Sequence, residues 1–359
     1  MFGTITNTIQ QELTYLSTIL KELGFSVLQK QPHISGERKI FGSTKLVLIC
    51  SDKDGNKVVA KCSRHKIGKK ELRREKKIRD HIKKTPFTKD TLSMPKEIFF
   101  GTQKNYLIFI TEYIEQEKIF VEYSTNKQFL MILRAFEEQE SFHATTFEHS
   151  LFARLYTSVQ KEGVYMKRLS KYLKNIKKYP YYKNFEKEIE QMLDFFYLNK
   201  TLINPYCLFL IHEDFVPHNF RIKDNHIYIL DYSALHYGNK YESWARLINY
   251  MVIHNPELEQ TLIDYIQHNR GNRDYSTLRM MRVFKIFQLL DFYSRIYSNT
   301  LGDLHTLTEV RINFWINVGI GVINDRRITK EQLAKYIETR NHLRSEEEKV
   351  RQREFAIAN

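Results

Sequence analysis

From Ile9 onward apolar residues recur at Leu13, Leu16, Ile19, Leu20 and Leu23, the three- and four-residue spacing that lays one apolar stripe along an α-helix over 6–23. The period then shortens. The stretch 25–31 can open a sheet, and 45–51 is rich in Val, Leu and Ile. Asp52-Lys53-Asp54-Gly55 is a strong turn signal, and Lys-Val-Val-Ala-Lys-Cys-Ser over 57–63 returns after it, so the pair predicts a hairpin. A highly charged helix is expected over 68–82, then strands over 98–101 and 106–113. The first part of the chain therefore reads as a mostly antiparallel sheet with a leading helix and one inserted helix.

Beyond it the pattern is mainly helical. Helices are expected over 126–145, 164–178 and 184–198, the second with Met166, Leu169, Leu173 and Ile176 in register. Between 207 and 232 short apolar runs alternate with polar ones, and Asp224-Asn225 marks a tight turn between two short strands. Helical periodicity resumes at Ser243, and 329–332 (Thr-Lys-Glu-Gln) fits a capping box that opens a late helix. The charge-rich tail after Arg344 is expected to fray. The fold class is α+β, with a β-rich lobe over 1–112 and a helical lobe over 113–359.

Composition narrows the classes. With 22 Tyr and 24 Phe among 359 residues, the chain is no disordered tail. Cys50, Cys62 and Cys207 are odd in number and form no CxxC pair, so neither a disulfide scaffold nor a zinc ribbon is supported, and a reducing cytoplasm is the simplest compartment. The first basic residue is Lys21, so the N-terminus lacks the positive start of a secretory signal. The most apolar late stretch, 312–323, is too short for a membrane span and is interrupted by Asn313 and Asn317. The net charge of +14 fits nucleic acid, a membrane surface, a phosphate-bearing ligand or a generally basic composition alike.

Chemistry concentrates in 211–232. Its skeleton is His212-x-Asp214-x-x-x-x-Asn219, followed by Asp231 at the end of an apolar strand. Phosphoryl transfer needs a carboxylate beside the acceptor hydroxyl, which Asp214 can supply. It also needs oxygen ligands for hard Mg²⁺ ions, and Asn219 and Asp231 offer them. His212 is expected to brace the loop. Upstream, Lys61 lies in an apolar strand and requires a partner or an anion. The following helix offers Glu71 and Glu75, and Glu75 shares a face with Ile78 and Ile82, which selects it as the partner. Gly42-Ser43-Thr44 just before the 45–51 strand can form a phosphate-covering turn, or an ordinary hairpin turn.

These motifs together resemble the aminoglycoside phosphotransferase and choline kinase family, over about 40–250. Gly42-Ser43-Thr44 resembles the family's short Gly-Ser-Asn-type turn, and Arg74-Glu75 its Arg-Glu helix pair. The 109–114 stretch (Phe-Ile-Thr-Glu-Tyr-Ile) resembles the strand entering the hinge. Phe142-His143-Ala144 is similar to its Leu-His-Ala helix end, and 212–219 to its HGDxxxxN motif, with Glu213 in place of Gly. Ser233 stands where choline kinases carry a second metal-side acid. Ser243 replaces an Asp in the later Gly-Asp-Pro-x-x-Asp-Leu-Ala segment, with Glu242 adjacent as a possible substitute. No Ala-Pro-Glu follows Asp231, which disfavours a protein kinase.

The resemblance implies a bilobal protein-kinase-like fold, ATP and Mg²⁺ as cofactors, and a small hydroxyl-bearing acceptor. Asp214 would be catalytic, and Asn219 and Asp231 would hold metal. Lys61, Glu75, Gly42, Ser43, Thr44, Glu112 and Ile114 would bind nucleotide. The stretch 167–187 interleaves Lys167, Arg168, Lys171, Lys174, Lys177, Lys178 and Lys183 with Tyr172, Tyr179, Tyr181 and Tyr182. That composition suits a solvated face, an anionic acceptor or a nucleic-acid surface. The competing functions are a pseudokinase that keeps the nucleotide but transfers nothing, and a nucleic-acid-binding protein on the same scaffold.

Overall fold

The computed structural model describes residues 2–31, 44–85, 93–144, 146–156 and 159–352. Helix α1 (Phe2–Glu22) precedes five antiparallel strands: β1 (Ser26–Val27), β2 (Leu46–Ser51), β3 (Lys57–Ser63), β4 (Glu97–Gln103) and β5 (Tyr106–Glu112). The sheet order is β1-β2-β3-β5-β4, and α2 (Lys66–Lys84) is inserted after β3. The β2–β3 turn forms because Asp52 Oδ1 accepts from the Asp54 and Asn56 amides at 3.0 and 2.8 Å while Gly55 takes φ +83°. β1 is far shorter than the strand expected over 25–31. Gln31 explains the difference: its side chain accepts from Ile49 N at 2.9 Å and donates to Ile49 O at 2.8 Å, taking the place of ladder bonds.

Strand alternation sorts β3 between two faces. Val58, Ala60 and Cys62 pack with Leu16, Ile19 and Leu20 of α1. Lys61 is left on the opposite side, where Leu72 of α2 meets Leu107 and Phe109 of β5. β5 is consequently buried on both faces as far as Thr111.

The helical part comprises α3 (Thr125–Ser141), α4 (Phe147–Tyr156), α5 (Glu162–Ile176), α6 (Glu186–Asn199), α7 (Tyr241–His254), α8 (Pro256–Asn269), α9 (Asn272–Tyr297), α10 (Asp303–Ile323), α11 (Lys330–Leu343) and α12 (Glu346–Gln352). Two hairpin-like ladders interrupt it. β6 (Phe209–His212) pairs with β9 (Leu235–Gly238), and β7 (Phe220–Lys223) with β8 (His226–Ile229), all antiparallel. Asp224 and Asn225 turn between β7 and β8 at φ 52° and 60°, as their residue types anticipate. The capping box at Thr329 and Gln332 is present.

Three features depart from the sequence reading. α4 and β9 were not anticipated, and β9 pairs with a strand more than twenty residues upstream. The segment after Arg344 does not fray over 346–352: it is helical, with Glu348 buried and gripped by Arg351 at 2.7 and 2.8 Å. Among the described residues no helix is long and apolar enough to cross a membrane.

Candidate active site

The lysine on the far side of β3 finds the partner its helix spacing selects. Lys61 Nζ lies 2.7 and 2.9 Å from the Glu75 carboxylate oxygens, and Glu75 is fully buried. Glu71, one turn earlier and more exposed, holds a different cation, Lys45, at 3.0 Å. Lys45 also reaches Asp231 at 3.8 Å. Sequence reasoning missed Lys45. The signal was available: Val47 lies opposite Lys61 in the ladder, so period-two alternation puts residue 45 on the same face.

Helix α2 ties the sheet to the helical part. Arg74 Nη2 donates to Leu235 O of β9 at 3.1 Å, and the Arg79 guanidinium lies 5.1 Å from the Tyr232 ring. Its N-terminus is pressed against the strand β2 entry. Ser63 Oγ donates to Thr44 O at 2.6 Å, and a Cβ on Gly68 would come within 2.6 Å of that same oxygen, so only glycine fits. Thr44 is thus placed beside the head of α2. Gly42 and Ser43 lie outside the described residues.

The catalytic-loop motif starts at the end of β6. His212 is buried, and its Nε2 donates toward Leu230 O and Asp231 O at 3.1 and 3.2 Å, so the ring joins the two halves of the motif as a brace. Ser243 Oγ accepts from His212 N at 3.1 Å and donates to His212 O at 3.0 Å. Serine therefore takes the bracing position, and Glu242 does not substitute. Glu242 instead sits behind the loop with Lys285 at 3.2 Å, Tyr165 OH at 2.7 Å and His236 at 3.3 Å. Burial alone would raise its carboxyl, but Lys285, Arg168 and His236 hold it well below the usual range. Lys285 also donates to Glu213 O at 2.8 Å, and the Glu213 side chain is taken by Arg168 and by Gln288 at 2.8 Å. The acid standing at the family's glycine position thus points to this rear network.

Asp214 and Asn219 meet directly. Asn219 Nδ2 donates to Asp214 O and Oδ2, both at 2.8 Å, which leaves its Oδ1 as the free oxygen. Arg246 Nε holds Asp214 Oδ1 at 2.7 Å. Burial would raise the Asp214 carboxyl, but Arg246 and His212 bring it down to about 2. Asp231 adopts a left-handed backbone at φ 47°, rare for a non-glycine residue, and accepts from Ser233 Oγ at 2.5 Å. Against the cost of burial, Lys45, Lys61 and Ser233 keep its carboxyl well below its ordinary value.

One cleft collects several of these groups. Its lining includes Lys45, Lys61, Glu75, Asn219 and Asp231, the apolar Val47, Val59 and Leu230, and Thr111 to Ile114 at the end of β5. Glu112 enters with its amide already donated to Lys96 O at 2.9 Å and its carboxylate accepting from Lys96 N at 2.6 Å. Among the described residues no three His, Cys, Asp or Glu side chains gather into a metal cage. The 167–187 stretch stays largely outside the site. Its lysines are exposed, Tyr172, Tyr179 and Tyr182 are buried as core, and Arg168 turns inward to Glu213.

No family profile matches the chain, and no curated protein does. Solved structures do. The aminoglycoside phosphotransferase APH(2'')-Ib with ADP bound aligns over 86% of this chain and 99% of its own, at TM-score 0.55 and 14% identity. The streptomycin-ATP-APH(2'')-IIa ternary complex aligns over 87% and 97%, at TM-score 0.55 and 14% identity. A thermostable APH(4)-Ia mutant with ADP and hygromycin B aligns over 84% and 97%, at TM-score 0.53 and 12% identity. The fold is that of the aminoglycoside phosphotransferases. Identities of this size establish the bilobal kinase-like architecture and leave the chemistry to be argued from the residues.

Proposed function

We propose that this chain is an ATP- and Mg²⁺-dependent phosphotransferase that moves the terminal phosphate to a hydroxyl of a small-molecule acceptor. The observation that carries the reading is the convergence of Lys61, Glu75, Asn219 and Asp231, from separate segments, on one cleft, with Asp214 hydrogen-bonded to Asn219. The nucleotides in the structural neighbours support it.

Residues 1–112 would form the nucleotide lobe and 113–359 the catalytic and substrate lobe. Lys61, held by Glu75, would meet the inner phosphates, and Lys45 would add a second cation beside it. The Glu112 carbonyl and Ile114 amide would meet adenine, and Gly42, Ser43 and Thr44 would cover the phosphates. The free Asn219 Oδ1 and the ionised Asp231 are the hard oxygen donors that Mg²⁺ prefers. When bound, Mg²⁺ neutralises charge on the phosphates.

Asp214 would accept a hydrogen bond from the acceptor hydroxyl and aim its oxygen at the terminal phosphorus. That oxygen bonds to phosphorus as the bond to the bridging oxygen breaks, and the hydroxyl proton passes to Asp214. A carboxyl held near 2 is a weak base, so Asp214 contributes mainly orientation and takes the proton late. The buried, unpaired Cys50, Cys62 and Cys207 suit a reducing, cytoplasmic setting.

The test is ATP turnover with Mg²⁺ over a pooled set of hydroxyl-bearing acceptors, for the intact chain and for Asp214→Ala. Acceptor-dependent turnover that vanishes in the variant is expected. ATP binding with no turnover in any pool would favour the pseudokinase reading, and failure to bind ATP with Mg²⁺ would remove the kinase reading altogether.

A further inference from the structure

Around the Arg246 that pairs with Asp214 the protein gathers arginines where burial should disfavour them. Helix α7 presents Arg246, Tyr250 and His254 at four-residue spacing, hence on one face. Tyr250 stacks on His254 at 4.1 Å between ring centroids and meets His218 edge-on at 5.7 Å. Arg246, Arg340, Arg344 and Arg351 all act electrostatically on Tyr250, so α7, α11 and α12 converge there. His218 and Arg351 also line the cleft, which places one side of the cluster against it.

The positive charge is not balanced. Asp214 holds Arg246, and the buried Glu348 holds Arg351 and also attracts Arg344. Arg311, Arg340 and Arg344 make no ion pair among the described residues. Arg344 Nε, Arg311 Nη1 and the Tyr250 hydroxyl are buried with no hydrogen-bond partner there, and Tyr250 is only 8% exposed. Burial, then Arg340 and Arg311, push the Arg344 guanidinium down to about 10. Buried guanidiniums repel one another and keep unmet donors at a cost that a bound anion would remove.

We propose that the acceptor carries a negatively charged group, phosphate or carboxylate, and that Arg340, Arg344 and Arg351, with Tyr250, form the subsite that binds it while Asp214 meets its hydroxyl. This rests on the phosphotransferase reading of the cleft. It differs from the expectation drawn from the 167–187 stretch, whose lysines face solvent. It also predicts a preference opposite to that for cationic gentamicin, the ligand of one structural neighbour.

The experiment measures thermal stabilisation by inorganic phosphate and by malonate, against chloride at equal ionic strength. It uses the full chain with its nucleotide site filled by AMP-PNP and Mg²⁺. Either anion is expected to raise Tm in a saturable way, with affinity reduced on the order of tenfold or more in Arg344→Gln and Arg340→Gln. Without anion, Arg344→Gln is expected to be at least as stable as the parent, because a cation facing cations has been removed. The proposal is overturned if neither anion binds, if the variants bind as well as the parent, or if gentamicin stabilises the protein and the anions do not. Should AMP-PNP fail to bind, the phosphotransferase reading falls alone. The anion shift and its loss in Arg344→Gln, measured without nucleotide, still decide the arginine subsite.

Discussion

Ser243→Ala isolates the contact that fixes the loop carrying Asp214 and Asn219. The hydroxyl is fully buried and serves both polar groups of the His212 backbone, at 3.1 and 3.0 Å. Removing it leaves a buried N–H and a buried C=O unmet, each costing about 1–3 kcal/mol, so a loss of about 3 kcal/mol is expected. With an unfolding entropy of about 2 cal/mol/K per residue, that corresponds to a Tm lowered by about 4 °C in a chain of 359 residues. Activity should suffer more than stability. Asp214 lies two residues beyond His212, and a displacement of about 1 Å at a reacting group can cost on the order of a hundredfold. The assay pairs scanning calorimetry with kcat and KM for ATP. The expected pattern is a kcat reduced at least tenfold with KM for ATP little changed, and substantial rescue by Ser243→Thr. A Ser243→Ala protein with unchanged kcat and a loss below about 1 kcal/mol would refute the bracing argument.

Arg246→Gln should let the Asp214 carboxyl rise from about 2 toward its ordinary value, because the cation nearest to it is lost. The pH–rate profile should then gain an acid limb in the ordinary carboxylate range that the parent lacks, and its absence would count against the pairing. The same group sets a sign for stability. With its folded pKa depressed, Asp214 stabilises the fold above pH 3.8 and loses that contribution as pH falls toward 2, so the stability of the parent should fall more steeply over that range than that of Arg246→Gln. Glu75→Gln strands the Lys61 ammonium in a nearly closed site and should cost about 3 kcal/mol, together with a marked rise in KM for ATP. Asp231→Asn keeps a residue type that tolerates φ 47°, so the fold should survive while the Mg²⁺ concentration for half-maximal activity rises at least tenfold; an unchanged Mg²⁺ dependence would remove Asp231 from the metal site.

Much of the architecture could be read from local pattern. The leading helix, the β2–β3 hairpin, the capping box at Thr329 and the Asp224-Asn225 turn each depend on residues close together in the chain. The choice of Glu75 over Glu71 likewise needed only helical spacing. β9 was missed because four residues carry too little periodicity, and only their pairing with distant β6 makes them a strand. β1 was overextended because a side chain, Gln31, finishes its hydrogen bonding.

The sequence by itself determined the alternation and spacing around Lys61, Glu75, Asp214, Asn219 and Asp231, because those rules act within a strand, a helix or a short loop. Tertiary structure alone decided which groups become neighbours across the chain. It brought Lys45 to Asp231, Arg246 to Asp214, Ser243 rather than Glu242 to His212, and the arginines of α11 and α12 to Tyr250. Packing of helices far apart in sequence sets those contacts, and a buried charge is costly or useful only according to the neighbours that packing provides.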